Sequence, residues 1–323
     1  MRGEQLEEEN LSGLVTKTQS GFFTVKTPDG DVVCHISGRL KLPEKEPEKL
    51  SNDLVALGDY VTIEKQADGS GVIVSVKERR NVLSRVAPSS AVGTSAESEQ
   101  IMIANCDQAI FVYAAAQPKP QPRMLDRLLV AAEKAELDSI VICVNKMDLV
   151  KQQKADKMFQ AYANIDYTVL YISAKTGSNI DQLHAVLKEK ISVFTGPSGV
   201  GKSSLLNTIQ PGLKLQTSNV SDAHNKGRHT TRFSQLVPLA GGGYVADTPG
   251  IRAVAPWDVE PDELDSYFRE IKPLVANCRF ADCSHQHEPG CAVREAVEAG
   301  KVSEQRYDSY LRLREGLEEQ YVY

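Results

Sequence analysis

Eight consecutive residues, Gly196-Pro197-Ser198-Gly199-Val200-Gly201-Lys202-Ser203, carry the GxxxxGK[ST] spacing that cradles a polyphosphate. The chemistry needs these residue types. Glycines let backbone N–H groups turn inward onto phosphate oxygens. Lys202 has the reach for the β- and γ-phosphates, and Ser203 has the hydroxyl for Mg²⁺. The loop follows the apolar run Ile191–Thr195 and precedes a helical stretch from Ser204 to Ile209, the strand–loop–helix setting such a loop requires. A second constellation, Cys278-x4-Cys283-x-His285-x5-Cys291, brings three sulfurs and an imidazole within fourteen residues. Such a set suits a closed tetrahedral Zn²⁺ site with no position left for water, which makes it structural. His287 competes with His285 for the fourth place.

Other segments fit around the phosphate loop. Asn145-Lys146-Met147-Asp148 ends an apolar strand and resembles the guanine-specificity element of GTPases. In that element the aspartate, here Asp148, accepts from guanine N1–H and the 2-amino group, which adenine lacks. Ser173-Ala174-Lys175 follows the next strand and resembles the loop whose backbone reads guanine O6. Asp247-Thr248-Pro249-Gly250 resembles the DxxG element, with Asp247 near Mg²⁺ and the Gly250 N–H at the γ-phosphate. Gly227-Arg228-His229-Thr230-Thr231-Arg232 resembles the first switch, whose threonine closes the Mg²⁺ shell; Thr230 and Thr231 both qualify. The order is unusual: the guanine motifs precede the phosphate loop, switch and DxxG, so the GTPase is circularly permuted. Strand ends set such a site, not chain order. The chain runs from Gly250 into the cysteine region, which ties nucleotide state covalently to the C-terminal module.

The elements that hold these motifs follow from patterning. Residues 11–80 read as five short strands with turns at Pro28-Asp29-Gly30 and Asp68-Gly69-Ser70-Gly71, a small antiparallel barrel of OB-fold type. Residues 81–100 are Ser/Ala-rich without periodicity and read as a linker. From 101 to 255 strands and helices alternate, as in a parallel α/β sheet, and 256–323 is helical around the cysteines. The predicted architecture is therefore a multidomain chain: barrel (1–80), linker (81–100), permuted α/β GTPase (101–255) and α-rich zinc module (256–323).

Composition limits the function classes. The chain of 323 residues has 41% apolar and 25% charged residues, as ordinary globular proteins do. No apolar run reaches the ~18 residues of a membrane span, and MRGEQLEEEN lacks the apolar core of a secretory signal. The expectation is a cytoplasmic protein with no membrane partner. A net charge of −6 argues against indiscriminate RNA binding. Positive charge is instead local: 202–232 holds Lys202, Lys214, Lys226, Arg228 and Arg232 against Asp222 alone.

Barrel, permuted GTPase and Cys₃His module in this order resemble the RsgA family (YjeQ/YloQ type) over nearly the whole chain. The most specific features are GPSGVGKSSLLN at 196–207, GRHTTR at 227–232, DTPG at 247–250 and the spacing at 278–291. The resemblance implies an OB-fold that meets ribosomal RNA, binding to the small ribosomal subunit late in its assembly, GTP hydrolysis to GDP stimulated by that subunit, and release afterwards. It implies His285 as the fourth zinc ligand. A monomer is the separate expectation for the chain's assembly. It also bears on the water. Ile251 follows Gly250 where Ras-like enzymes carry a water-orienting glutamine, and the family's histidine in the switch matches His229, which is then expected to position the attacking water. Two other readings compete: a permuted GTPase acting on another ribosomal particle, and an RNA-binding module carrying a weak GTPase.

Overall fold

A computed structural model describes residues 10–43, 54–86, 99–213, 233–247 and 259–321. The chain opens with β1 (Asn10–Gln19), β2 (Phe22–Thr27), β3 (Gly30–Lys41), β4 (Tyr60–Lys65) and β5 (Gly71–Val76), followed by β6 (Val82–Val86) and β7 (Glu99–Ala104). An alternating stretch follows: β8 (Gln108–Ala114), α1 (Pro122–Lys134), β9 (Ser139–Asn145), α2 (Gln152–Ala163), β10 (Thr168–Tyr171), α3 (Ile180–Leu187), β11 (Ile191–Thr195) and α4 (Lys202–Ile209). Then come β12 (Phe233–Pro238), β13 (Tyr244–Asp247), 3-10 turns at Pro261–Tyr267 and Lys272–Asn277, α5 (Ala292–Glu298) and α6 (Glu304–Tyr321).

Two compact units contain these elements. The first comprises the described residues within Met1–Asp107, Leu187–Phe194 and Asp222–Ala253. Its core is a closed barrel in the order β1-β2-β3-β5-β4, with β4 returning to pair with β1. Inward residues alternate along each strand, and Val15, Val25, Val61, Ile63 and Ile73 are fully buried. A register shift between Val15 and Lys17 lets β1 pair with β4 through its first half and β2 through its second. Such a bulge bends a strand enough to close a small barrel. The barrel is not wholly antiparallel as its short strands suggested, because β3 and β5 run parallel. The end of β1 also pairs with β12, which pairs with β13, which lies parallel to β11.

Strands occupy both ends of the segment expected to be a linker. β6 and β7 form an antiparallel ribbon from Val82↔Ala104 to Val86↔Glu99, and its middle lies outside the described residues. The Ser/Ala composition hid this pairing, since only a few of its residues, such as Leu83 and Ile103, are buried.

The second unit comprises the described residues within Gln108–Val186, Thr195–Ser221 and Val254–Tyr323. Its strands lie in the parallel order β10-β9-β8. Every residue of β8 and all but the first of β9 are buried, which explains their nearly continuous apolar sequences. Pro122 starts α1, where its missing N–H costs nothing, and one face of the helix is apolar. Val130 on that face packs with Leu264, Phe268, Ile271 and Tyr310, so the C-terminal helices share a core with α1. Charge pairs fasten the same joint: Arg306, 1% exposed, reaches Asp126 and Glu270, each at 2.6 Å. Arg269 meets Glu133 at 2.7 Å and Lys134 meets Glu263 at 2.6 Å.

Candidate nucleotide and metal sites

In the second unit the parallel register places Val144 beside Tyr171, so the loops leaving β9 and β10 start side by side. Asn145, the last residue of β9, joins three of the motifs. Its Nδ2 donates to the Val200 carbonyl at 2.9 Å, and its Oδ1 accepts from the Ala174 N–H at 3.1 Å. The side chain is 1% exposed. Lys146 adopts a left-handed backbone (φ 64°) and donates to the carbonyls of Gln117 and of Gly199, the latter at 2.7 Å. Burial pushes its ammonium below the usual lysine range, opposed by the charge of Asp148. Ser173 is buried, and its hydroxyl donates to Asp148 Oδ1 at 2.7 Å, while Lys175 Nζ stands 3.8 Å from Oδ2. The Asp148 carboxylate is thereby oriented, its side chain 12% exposed.

The phosphate loop turns tightly between β11 and α4. Two of its glycines are forced by contact. A Cβ on Gly196 (φ 141°) would fall on the Val112 carbonyl oxygen, and one on Gly201 (φ 98°) would strike Asn145 Nδ2. Gly199 also has a positive φ, while Val200 is buried and Ser198 is exposed. Lys202 donates to the Gly196 and Pro197 carbonyls, both at 2.7 Å, which lays its ammonium across the loop. Lys202, Ser203 and Ser204 form the first turn of α4, where free N–H groups and the helix dipole favour an anion. Asp247 closes β13 in the first unit. His229, Thr230, Thr231 and Gly250 lie outside the described residues.

Cys278, Cys283, His285 and Cys291 form the candidate metal centre, with one donor atom from each and all four within 4.8 Å of one another. His285 Nδ1 is 3.4 Å from Cys291 Sγ and 3.6 Å from Cys278 Sγ. Zn–S and Zn–N bonds of ordinary length, set tetrahedrally, separate sulfur from nitrogen by about 3.6 Å, so the set fits one such ion. Burial, with the neighbouring Cys291 and Cys278 thiols, drives Cys283 far above the ordinary thiol range. A divalent cation reverses that, because it binds the thiolate.

The chain matches the RsgA GTPase family over residues 76–257. It is 44% identical to the small ribosomal subunit biogenesis GTPase RsgA of Gemmatimonas aurantiaca over 95% of this chain and 98% of the relative. The chain belongs to the RsgA family. The protein of the same name from Moorella thermoacetica is 40% identical over 93% of this chain and 95% of its own length. YjeQ from Thermotoga maritima superposes with a TM-score of 0.75 at 36% identity, covering 95% of this chain and 98% of that one. YloQ, described as a circularly permuted GTPase, superposes with a TM-score of 0.70 at 32% identity over 99% of both chains. The fold of this chain is thus an OB-like barrel, a circularly permuted GTPase and a Cys₃His module.

Several supporting residues escaped sequence reasoning. Asp265 Oδ2 lies 3.2 Å from His285 Nε2, a carboxylate that fixes the ring while Nδ1 faces the sulfurs. The Tyr307 hydroxyl donates to the His285 carbonyl at 2.5 Å, holding a residue whose φ of 62° is left-handed. Glu288 accepts from the Ser284, Gln286 and His287 N–H groups and from the Ser284 hydroxyl. Burial acts to raise this carboxyl, but those hydrogen bonds outweigh it and hold Glu288 at about 2. His287 is exposed, whereas His285 is fully buried. No spacing rule reaches from Asp265 to His285 across twenty residues of irregular chain. Among the described residues no helix is long and apolar enough to cross a membrane.

Proposed function

We propose that this GTPase acts in the cytoplasm as a monomer on the small ribosomal subunit late in its maturation, meeting ribosomal RNA, and leaves once GTP has become GDP. The observation that carries the reading is the convergence of Asn145, Ala174 and Val200, which joins guanine-reading and phosphate-binding loops in one hydrogen-bonded cluster. It is supported by relatives named as small-subunit biogenesis GTPases that span nearly the whole chain.

The residue roles follow from that reading. Asp148 accepts from guanine, Lys146 and Asn145 hold the loops around the base, and Ser173, Ala174 and Lys175 complete the guanine side. Backbone groups of Gly196, Ser198, Gly199, Val200 and Gly201 bind phosphates with Lys202 and Ser204. Ser203 and Thr230, or Thr231 in its place, hold Mg²⁺, with Asp247 beside it and Gly250 at the γ-phosphate. Bound Mg²⁺ neutralises charge on the β- and γ-phosphate oxygens. His229 orients the attacking water, and unstimulated turnover is slow because that residue sits on a switch segment awaiting its partner. Cys278, Cys283, His285 and Cys291 hold one structural Zn²⁺, which cross-links the C-terminal module. The proposed domains are barrel (1–80), connecting segment (81–100), GTPase (101–255) and zinc module (256–323).

Co-sedimentation tests the reading. With a non-hydrolysable GTP analogue the chain should pellet with purified small subunits, and with GDP it should stay in the supernatant. Equal partition in both states, or pelleting with large subunits instead, would contradict it.

A further inference from the structure

The first unit contains a polar junction that the nucleotide motifs do not account for. Arg79, 6% exposed, grips the fully buried Asp59 through Nε at 2.8 Å and Nη2 at 2.9 Å. Asp59 also accepts from the Ala56 N–H at 2.7 Å, and its carbonyl accepts from the Val15 N–H on β1 at 2.8 Å. Residue 79 is therefore fixed to the barrel core. The next residue, Arg80, donates through its backbone to Asn105 Oδ1 at 2.9 Å and through Nη2 to Asp107 Oδ1 at 2.6 Å. Asn81 and Cys106 exchange two hydrogen bonds of 2.9 Å each. Asp107 extends this junction to β11. Its Oδ2 accepts from the Ile191 N–H at 2.7 Å, and its own N–H donates to the Ile191 carbonyl at 2.9 Å. Ile191 begins β11, whose last residue, Thr195, immediately precedes Gly196. The segment Leu187–Phe194 belongs to the same compact unit as the barrel.

We propose that Asp107 and Arg80 are positioning residues, a clasp that fixes the start of β11, the strand whose end leads directly into the phosphate loop. Resting on the small-subunit reading, the clasp carries engagement of the barrel into GTP turnover. The chemistry suits the role. A short charge-assisted bond from Arg80 to Oδ1 orients the Asp107 carboxylate so that Oδ2 accepts from the Ile191 N–H, beside the main-chain bond from Asp107 to the Ile191 carbonyl. Beside the sheet route from β1 through β12 and β13 to β11, this junction gives the barrel a second connection to Ile191.

Phosphate release by the full chain tests this, using wild type, Arg80→Ala and Arg80→Lys, alone and across a titration of purified small subunits. Arg80 is half exposed, at 49%. Its loss should leave nucleotide affinity and unstimulated rate within about twofold, since exposed ion pairs add little to folding. The maximal stimulated rate of Arg80→Ala should fall about tenfold, the scale of a sub-ångström misplacement at the reacting phosphate, with the half-saturating subunit concentration unchanged. Arg80→Lys, which keeps the cation, should regain most of the rate. A wild-type maximal rate in Arg80→Ala, a defect confined to the half-saturating concentration, or no recovery in Arg80→Lys would each overturn the clasp while leaving the small-subunit reading intact. Wild type that no small subunit stimulates would remove both.

Discussion

The Asn145 side chain donates to the main-chain carbonyl of Val200 at 2.9 Å, bonding the end of the guanine-reading strand to the middle of the phosphate loop. In chain order these residues are 55 apart and belong to motifs that read as independent. The same amide accepts from Ala174, so removing it leaves a carbonyl and an N–H without this partner. Each buried orphan costs about 1–3 kcal/mol. Asn145→Ala should therefore weaken GDP binding by at least about tenfold, measured by calorimetry. Unchanged affinity would mean that the loops hold their positions without it.

Base choice is proposed to rest on Asp148. Ser173 and Lys175 orient its carboxylate, which on the proposed reading accepts from guanine N1–H and the 2-amino group. Asp148→Asn offers a donor and an acceptor instead, the pattern that xanthine satisfies. Turnover of GTP should fall by about 10²-fold or more, and xanthosine triphosphate should become the better substrate. A variant that kept its preference for GTP would remove Asp148 from the base contact.

The candidate metal centre separates two histidines, His285 and His287, that compete for the fourth place on spacing alone. His285 is buried with Nδ1 among the sulfurs, and His287 is exposed with its N–H on Glu288. Elemental analysis of purified protein should give one zinc per chain in wild type and in His287→Ala. His285→Ala should lose the metal and melt at lower temperature. Equal zinc content in both variants would contradict the assignment.

Arg306 supplies the stability test. It lies between Asp126 and Glu270 with the Phe268 ring 4.5 Å from its guanidinium carbon. Arg306→Met leaves two carboxylates facing each other without their cation, at a cost of about 3–5 kcal/mol. Urea unfolding followed by fluorescence should show a transition at clearly lower concentration, with α6 losing its hold on α1. An unshifted midpoint would show that the apolar contacts of Val130, Phe268 and Tyr310 hold the joint alone.

Legibility from sequence followed physical locality. β8, β9 and β11 were readable because strands buried on both faces are written as apolar runs, and Gly196–Ser203 because the loop is one uninterrupted segment. β6 and β7 were not, since each is a short apolar run at the edge of a Ser/Ala-rich stretch and their pairing shows no period in sequence. β12 was missed too: in Phe233–Pro238 the apolar Phe233, Leu236 and Val237 do not alternate, and one of its partners, β1, is distant in sequence. The parallel pairing of β3 with β5 depends on closure of the barrel, which strand lengths do not encode. Asp265 beside His285, and Asp107 beside Ile191, join segments that only the fold brings together.

The central claim is that this GTPase is switched on by the small ribosomal subunit. The most direct measurement is phosphate release at saturating GTP with no particle, with purified small subunits, and with purified large subunits. The account predicts slow release alone, no change with large subunits, and acceleration by at least about tenfold with small ones, lost in His229→Ala, since a positioned group of that kind contributes ~10²–10⁴. Acceleration by large subunits only, or by neither, would contradict it.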